Sequence, residues 1–447
     1  MTYFKKNQKP MSDSSRRNFV KTTAIFTAGM MLPSMELSAM ANVFNDKTLK
    51  LAVVGCGGRG TGAVVQALKA DENVQLVAMA DAFDDRLNGS LQSLQKEFEG
   101  SKKINVQAKH CYVGFDAYKK AIDQADVVIL TTPPGFRPYH FEYAINAGKH
   151  VFMEKPVATD VPGIRKVLEM AKIAKANKLN VVVGLQRRYQ NNYLDMKQKI
   201  DEGKAGIITS GQVYWNSSGV WVHPRTPDQS EMEYQMRNWY YFNWLCGDHI
   251  LEQHIHNIDV ANWFIGEYPI SAQGMGGRLV RTGPEHGEIF DHHFVEFKYP
   301  SGAVISSQCR HQPGTWSKVG ENFQGSKGTI EMNDAGAASI IDLQGNLIYN
   351  YRNKRDPNPY QVEHDKLFAS IRNNEVISDG ENAAKSTMTA IMGRMATYSG
   401  QMINLDDAMT SEKILMPKDV TWDSTPATIP GKDGAYPIPT PGKTQVM

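Results

Sequence analysis

Two groups of residues have the types and spacing for chemistry. Gly55-Cys56-Gly57-Gly58-Arg59-Gly60 is a G-x-G-x-x-G. Glycines at those places permit a tight turn and let backbone N–H groups approach a diphosphate at a helix N-terminus. The second group is Gly247-Asp248-His249-Ile250-Leu251-Glu252-Gln253-His254-Ile255-His256-Asn257-Ile258-Asp259. Read as one helix, it puts Glu252 and His256 on one face, with His249 a turn earlier and Gln253 beside them. His256 is the best candidate for the acid/base that takes a hydroxyl proton, since imidazole cycles its charge near neutral pH. Glu252 can orient His256 or bind a substrate hydroxyl.

The elements around the glycines are those that would position a dinucleotide. Leu49–Val54 is an apolar run of the kind a buried parallel strand uses. It enters the glycine turn directly, and residues 61–70 then read as a helix with Val64, Val65 and Leu68 on its apolar side. A second strand over residues 74–80 ends in Asp81. A carboxylate there accepts hydrogen bonds from both ribose hydroxyls and repels a 2′-phosphate, which favours NAD over NADP. A third apolar run, 125–130, ends in Thr131-Thr132-Pro133-Pro134, where proline stops the strand and exposes backbone at the carboxyl edge of the sheet. A helix over 138–147 and the strand His150–Met153 lead into Glu154-Lys155-Pro156.

The stretch T-T-P-P-G-F-R-P-Y-H-F-E-Y-A-I-N-A-G-K-H-V-F-M-E-K-P, residues 131–156, resembles the Gfo/Idh/MocA oxidoreductase family, in which these motifs occur in this order. The resemblance runs from about residue 48 to 400. It implies an α/β fold in two parts, an N-terminal Rossmann doubly wound parallel sheet and a C-terminal α/β domain on a large, mostly antiparallel sheet. It further implies that Lys155 lies beside the nicotinamide and the substrate hydroxyl, where a cation stabilises an alkoxide as hydride leaves. Aligned by His256-Asn257-Ile258-Asp259, Glu252 stands where the family has Asp. Arg188, followed by Tyr189 after the apolar run 181–183, matches an arginine the family places near cofactor or substrate, and Arg187 is expected to face solvent. The expected cofactor set is therefore Gly55, Gly57, Gly58, Arg59, Gly60, Asp81, Thr132, Pro133, Glu154, Lys155 and Arg188. The expected catalytic set is Lys155, His256 and Glu252.

Between Trp215 and Trp244 aromatic residues are dense. Sugar C–H faces stack on aromatic planes, so Trp239 and Tyr240, with His249 and Gln253, are candidate substrate contacts, while about half of these rings serve as core. Residues 221–230 read as an irregular loop suited to a lid. His223, His249, His254 and His256 invite a metal reading, but His254 projects away from His256 on a helix, and no metal site is expected. The four cysteines, Cys56, Cys111, Cys246 and Cys309, read as buried small hydrophobes.

Lys plus Arg number 49 and Asp plus Glu 47, a net charge of +2 that gives no basic field for nucleic acid. The N-terminus reads as an address. Ser15-Arg16-Arg17-Asn18-Phe19-Val20-Lys21 matches the twin-arginine pattern, a modest apolar stretch follows over 22–32, and Ala39-Met40-Ala41 supplies a cleavage site. The stretch is too short to span a bilayer, and no later segment resembles a span. The expected organisation is a signal peptide 1–41, an NAD-binding domain 48–185, a substrate and oligomerisation domain 186–415 and an extended tail 416–447. A periplasmic or otherwise exported nicotinamide enzyme has no soluble NAD pool, so its cofactor is expected to be tightly held. Three readings follow: an oxidoreductase acting on a sugar or glycoside hydroxyl, an NAD-dependent glycosidase working through a transient keto sugar, and an inactive cofactor-bound sugar sensor. The first is preferred, as a homo-oligomer with a small-molecule sugar or glycoside as partner.

Overall fold

The computed structural model describes residues 47–447 except 334, 353 and 354. The twin-arginine segment and its cleavage site lie outside the described residues.

The apolar runs pair as a six-stranded sheet. Its strands are β1 (Leu49–Val54), β2 (Val74–Asp81), β3 (Cys111–Val113), β4 (Val127–Leu130), β5 (His150–Met153) and β6 (Val181–Val183). They lie in the order β3-β2-β1-β4-β5-β6, and every pairing is parallel. Alternation along β1 feeds two cores. Leu51 and Val53 pack with Val64 and Leu68 of the helix Gly58–Ala70, while Ala52 and Val54 join Val128, Leu130 and Val151 on the opposite face. Because β1 and β4 are neighbours and the chain winds away in both directions, a crevice opens at their carboxyl ends, the switch point where doubly wound sheets bind ligands.

The second sheet has nine strands: β7 (Ile208–Ser217), β8 (Ser271–Gly277), β9 (His292–Lys298), β10 (Val304–His311), β11 (Lys318–Gly325), β12 (Gly328–Asn333), β13 (Ala338–Asp342), β14 (Leu347–Asn350) and β15 (Ile403–Asn404). Their order is β14-β13-β12-β11-β7-β10-β9-β8-β15. Only β7 and β10 run parallel, and the remaining pairs are antiparallel. The α/β class and the two-sheet architecture are those expected. Helix Gly380–Ser399 packs against β8, β9 and the helix Val161–Ala176, so one almost wholly buried helix ties the two halves together.

The chain also returns to its first half. Helix Pro359–Arg372 lays Leu367, Phe368 and Ile371 into the same core as Val64 and Leu68, although it lies within residues 186–415. Beyond Met409 the chain has no helix or strand. Of the cysteines, Cys56, Cys246 and Cys309 are buried, whereas Cys111, on the short edge strand β3, is partly exposed. Among the described residues no helix is long and apolar enough to cross a membrane.

Candidate active site

The glycine turn has the shape a diphosphate needs. Gly55 sits at φ +99°, and a Cβ there would lie 2.7 Å from the Thr131 carbonyl carbon. A Cβ on Gly60 would fall 1.9 Å from the Gly55 oxygen, so helix and strand approach as closely as they do only because both are glycine. Gly57 and Gly58 are the reverse case. A Cβ on either would meet nothing within 4 Å, so open space lies over the helix N-terminus where N–H groups can hold an anion. These residues line a cleft of about 570 Å³ that also takes in Asp81, Thr132, Pro133 and the ring of Trp239, within the usual range for small-molecule sites.

Asp81 ends β2 as expected and lines the cleft. Its carboxylate accepts the backbone N–H of Cys56 at 2.6 Å and of Phe83 at 2.9 Å, which fixes it at the mouth of the turn. Burial raises its pKa despite those two bonds.

Several assigned side chains do other work. Arg59 contributes its backbone to the helix start, but its guanidinium bonds Glu154 and lies 3.9 Å from Glu363. Glu154, 7% exposed, is consequently turned away from the cleft. Burial works against its charge, and Arg59 and Lys155 outweigh it, holding the carboxylate below its usual range. Glu154 Oε2 also accepts the Lys155 backbone N–H at 3.2 Å, so the pair braces the strand end that carries Lys155. Arg188 is paired with Asp259 through two bonds of 2.8 Å and lies over the Trp263 ring. It is not among the cleft-lining residues, because a buried carboxylate claims both arms of the guanidinium. Arg187, expected in solvent, is 2% exposed and bonded to Glu321 at 2.6 Å. The short helical turn Gln186–Tyr189 directs it between the rings of Tyr193 and Trp215 instead.

The helix expected over Gly247–Asp259 is interrupted. His249–Glu252 forms one turn and Ile255–Ile265 a second segment. Between them the hydrogen-bond ladder slips: the His254 N–H reaches back to His249 O, five residues away, at 3.2 Å, and the His256 N–H reaches only to Gln253 O at 3.4 Å. Such insertions often mark functional sites. Across the break Glu252 still reaches Lys155, while the His256 ring stacks with Trp215, centroids 5.8 Å apart. Lys155 Nζ donates to the Glu252 carbonyl at 2.6 Å and lies 3.4 Å from Glu252 Oε1. Burial first and the Lys155 charge second push the His256 imidazole well below its ordinary pKa, so it is neutral at neutral pH. Its Nδ1 is buried without a hydrogen-bond partner, as is Glu252 Oε2. Burial raises the Glu252 pKa against the pull of Lys155. Lys155 and Glu252 are therefore in contact just past β5, and the Lys155 charge acts on His256. None of the three is among the cleft-lining residues.

Trp239 lines the cleft together with Trp221 and His223 from the irregular segment. Tyr240 is buried, its hydroxyl without a partner, and Tyr241, Phe242 and Trp244 are core. Gln253 sits at the break. His254 bonds Ser307 Oγ at 2.8 Å and is structural. His249 is fully buried and faces His293 and His311.

Sequence reasoning missed a second layer. Arg137, 1% exposed, donates to Pro156 O at 2.6 Å and to Thr132 O, so it ties the T-P turn to the E-K-P strand end. Burial lowers its pKa to about 10. His140 Nδ1 lies 3.1 Å from Thr132 Oγ1. An Arg flanked by apolar residues just before a helical Pro was the available signal. At the cleft rim, Phe83 and Phe115 receive Trp422 from the tail, with ring centroids 5.0 and 4.5 Å away.

A glycine turn with open space over its helix N-terminus, and a carboxylate fixed at the mouth of that turn, define a dinucleotide-binding protein. Residues 49–185 match the model of an oxidoreductase family with an NAD-binding Rossmann fold, Gfo/Idh/MocA, and residues 193–331 match the Gfo/Idh/MocA C-terminal domain. The chain belongs to this family. It is similar to inositol 2-dehydrogenase of Rhizobium meliloti, with 24% identity over 342 residues, 75% of this chain and 92% of that one. With inositol 2-dehydrogenase 3 of Saccharopolyspora erythraea it shares 28% over 263 residues, 58% of this chain and 65% of that one. Solved structures share the fold. Aldose-aldose oxidoreductase from Caulobacter crescentus, complexed with glycerol, superposes with TM-score 0.63 at 20% identity over 80% of this chain and 100% of that one. A levoglucosan dehydrogenase in complex with NADH and levoglucosan gives 0.64 at 16% over 80% and 99%.

Proposed function

We propose that the protein interconverts a secondary hydroxyl and a ketone on a sugar, glycoside or polyol, with NAD as hydride carrier. The observation that carries this is the Lys155–Glu252 contact, whose lysine charge acts on His256, in a chain that also holds a cleft shaped for a diphosphate. When bound, NAD supplies a hydride acceptor at its nicotinamide. Lys155 then orients the substrate hydroxyl and stabilises the alkoxide. Neutral His256 takes the hydroxyl proton, and Glu252 accepts a neighbouring hydroxyl while holding Lys155 in place. The rings of Trp221 and Trp239 offer faces for the apolar side of a sugar. Asp81 supports NAD over NADP, since a 2′-phosphate would meet its carboxylate.

Retention of the cofactor is supported by Trp422, which packs on two rim residues of the cleft. That suits an exported enzyme, for which the Arg16-Arg17 pattern, the apolar stretch and Ala39-Met40-Ala41 speak. Periplasmic delivery is tested by whether Arg16→Lys with Arg17→Lys abolishes export. A homo-oligomer is supported by the outer face of the large sheet, where Met275, Phe294, Gln308 and Tyr214 fall side by side in register. Its check is the mass in solution by light scattering.

The functional test incubates purified protein with inositols, levoglucosan, aldoses and aryl glycosides, with NAD, with NADP and with no added cofactor. Keto product matched by NADH is expected. Aglycone release without net NADH would replace this reading by redox-neutral hydrolysis. Cofactor retention without turnover of any member of the panel would leave a sensor.

A further inference from the structure

One turn before Glu252 lies a cluster for which hydride transfer has no use. Asp248 caps the turn His249–Glu252 at φ +77°, a conformation few non-glycine residues adopt. Its Oδ2 lies 3.2 Å from His293 Nε2, and its Oδ1 lies 3.9 Å from His249 Nε2. His293 comes from β9 and His311 from the end of β10, and the His311 ring stacks on His249 at 4.3 Å. Asp248 and His249 are 0% exposed and His293 3%. Among the described residues these three form the one group of His, Cys, Asp or Glu whose ligand atoms, one from each, all lie within 4.8 Å of one another.

We propose that Asp248, His249 and His293 bind a divalent transition metal ion, of which zinc is the best fit.

Two independent observations point to a ligand. The first is hydrogen bonding. Neither ring nitrogen of His249 has a hydrogen-bond partner, neither does either nitrogen of His311, and His293 Nε2 makes no well-aligned bond despite its distance from Asp248. Each buried polar group left so costs about 1–3 kcal/mol, which native proteins seldom leave uncompensated. His254, in the same region, has its Nε2 2.8 Å from Ser307 Oγ and leaves only Nδ1 without a partner, whereas His249 and His311 have neither nitrogen satisfied.

The second is charge. The Asp248 carboxylate is fully buried, and its other partners, the His249 backbone N–H, the Tyr398 hydroxyl at 2.5 Å and the Phe290 N–H at 3.0 Å, are neutral. The nearby cation, Arg394, is spent on the carbonyls of Gly247 and Thr159. A buried carboxylate needs a counter-charge, and a divalent ion supplies it.

The donor set of two imidazoles and one carboxylate selects a borderline ion, zinc above all, and excludes the all-oxygen preference of magnesium and calcium. Around zinc, with bonds of about 2.0–2.1 Å, neighbouring donors stand roughly 3.3–3.4 Å apart; Asp248 and His293 are already at 3.2 Å, while Asp248 and His249 at 3.9 Å and the two imidazoles, within 4.8 Å, close on the ion. An ion there anchors the turn that carries Glu252 and thus fixes the acceptor of Lys155. The His311 ring stacks against His249 as a packing partner, its centroid 4.3 Å away.

The proposal is read by metal content, so it stands or falls apart from the catalytic assignment. Protein purified from cells supplied with zinc, manganese, iron and cobalt is expected to hold about one divalent ion per chain through dialysis. His293→Ala and His249→Ala should each weaken zinc binding by at least roughly a hundredfold. Where a variant fails to fold, wild-type protein refolded with cobalt decides. Intense visible absorption of a four-coordinate ion with nitrogen and oxygen donors supports the site. Wild-type protein that takes up neither zinc nor cobalt overturns the proposal, and so does undiminished zinc content in both folded histidine variants.

Discussion

The dinucleotide cleft and the Lys155 cluster are built in opposite ways. The cleft is mostly backbone: two glycines that let strand and helix touch, two that leave an anion open space, and one carboxylate held by an N–H of the glycine turn and one of its own loop. The cluster is made of side chains drawn from β5 and from two helical segments about a hundred residues later. Backbone sites fail when a Cβ is added. Side-chain sites fail when a functional group is removed, and the fold survives.

The difference can be broken most forcefully at Lys155. Lys155→Ala should lower kcat on the order of a thousandfold while leaving dinucleotide affinity within a few-fold, read by steady-state kinetics and fluorescence titration. His256→Ala should cost about a hundredfold or more in kcat, with the same separation. The pH profile sharpens this. Because the folded-state pKa of His256 is depressed, the imidazole stays an acceptor as pH falls, so the acid limb of kcat/KM should lie below about 6.5, the ordinary imidazole value. An acid limb above that value would remove His256 from the role.

Gly60→Ala should act the other way. With 1.9 Å to the Gly55 oxygen, the new methyl must force helix from strand, at a cost of about 1–3 kcal/mol by denaturant unfolding and with loss of dinucleotide binding. Arg188→Ala is expected to cost about 3–5 kcal/mol through Asp259 and to leave cofactor affinity unchanged in the folded fraction, since the arginine belongs to a buried ion pair. Trp422→Ala, the mildest, should speed cofactor release about tenfold without altering stability by more than about 1 kcal/mol, measured by stopped-flow exchange.

This contrast also explains what the sequence made legible. The parallel strands, their helices and Asp81 were readable because each glycine, proline and apolar run acts on its immediate neighbours. Lys155, Glu252 and His256 were found through motif order, and the geometry joins Lys155 to Glu252 even though the helix that was to align Glu252 with His256 breaks at Gln253. Arg187 and Arg188 show the limit. Which of two adjacent arginines points where depends on Glu321 and Asp259, far along the chain, and spacing cannot see them. The histidine cluster was missed for the same reason. Counting histidines near Glu252 grouped His223, His249, His254 and His256, whereas the partners of His249 are on β9 and β10. Long-range side-chain pairing is a property of the sheet register.

The central claim, that hydride leaves a carbinol held by Lys155 and deprotonated by His256, is tested most directly in a single turnover. Protein saturated with NAD is mixed with excess substrate and NADH absorbance is followed. The account predicts a full burst in the wild type, and in Lys155→Ala and His256→Ala a burst slowed at least a hundredfold at equal cofactor occupancy. A wild-type burst in both variants would contradict it.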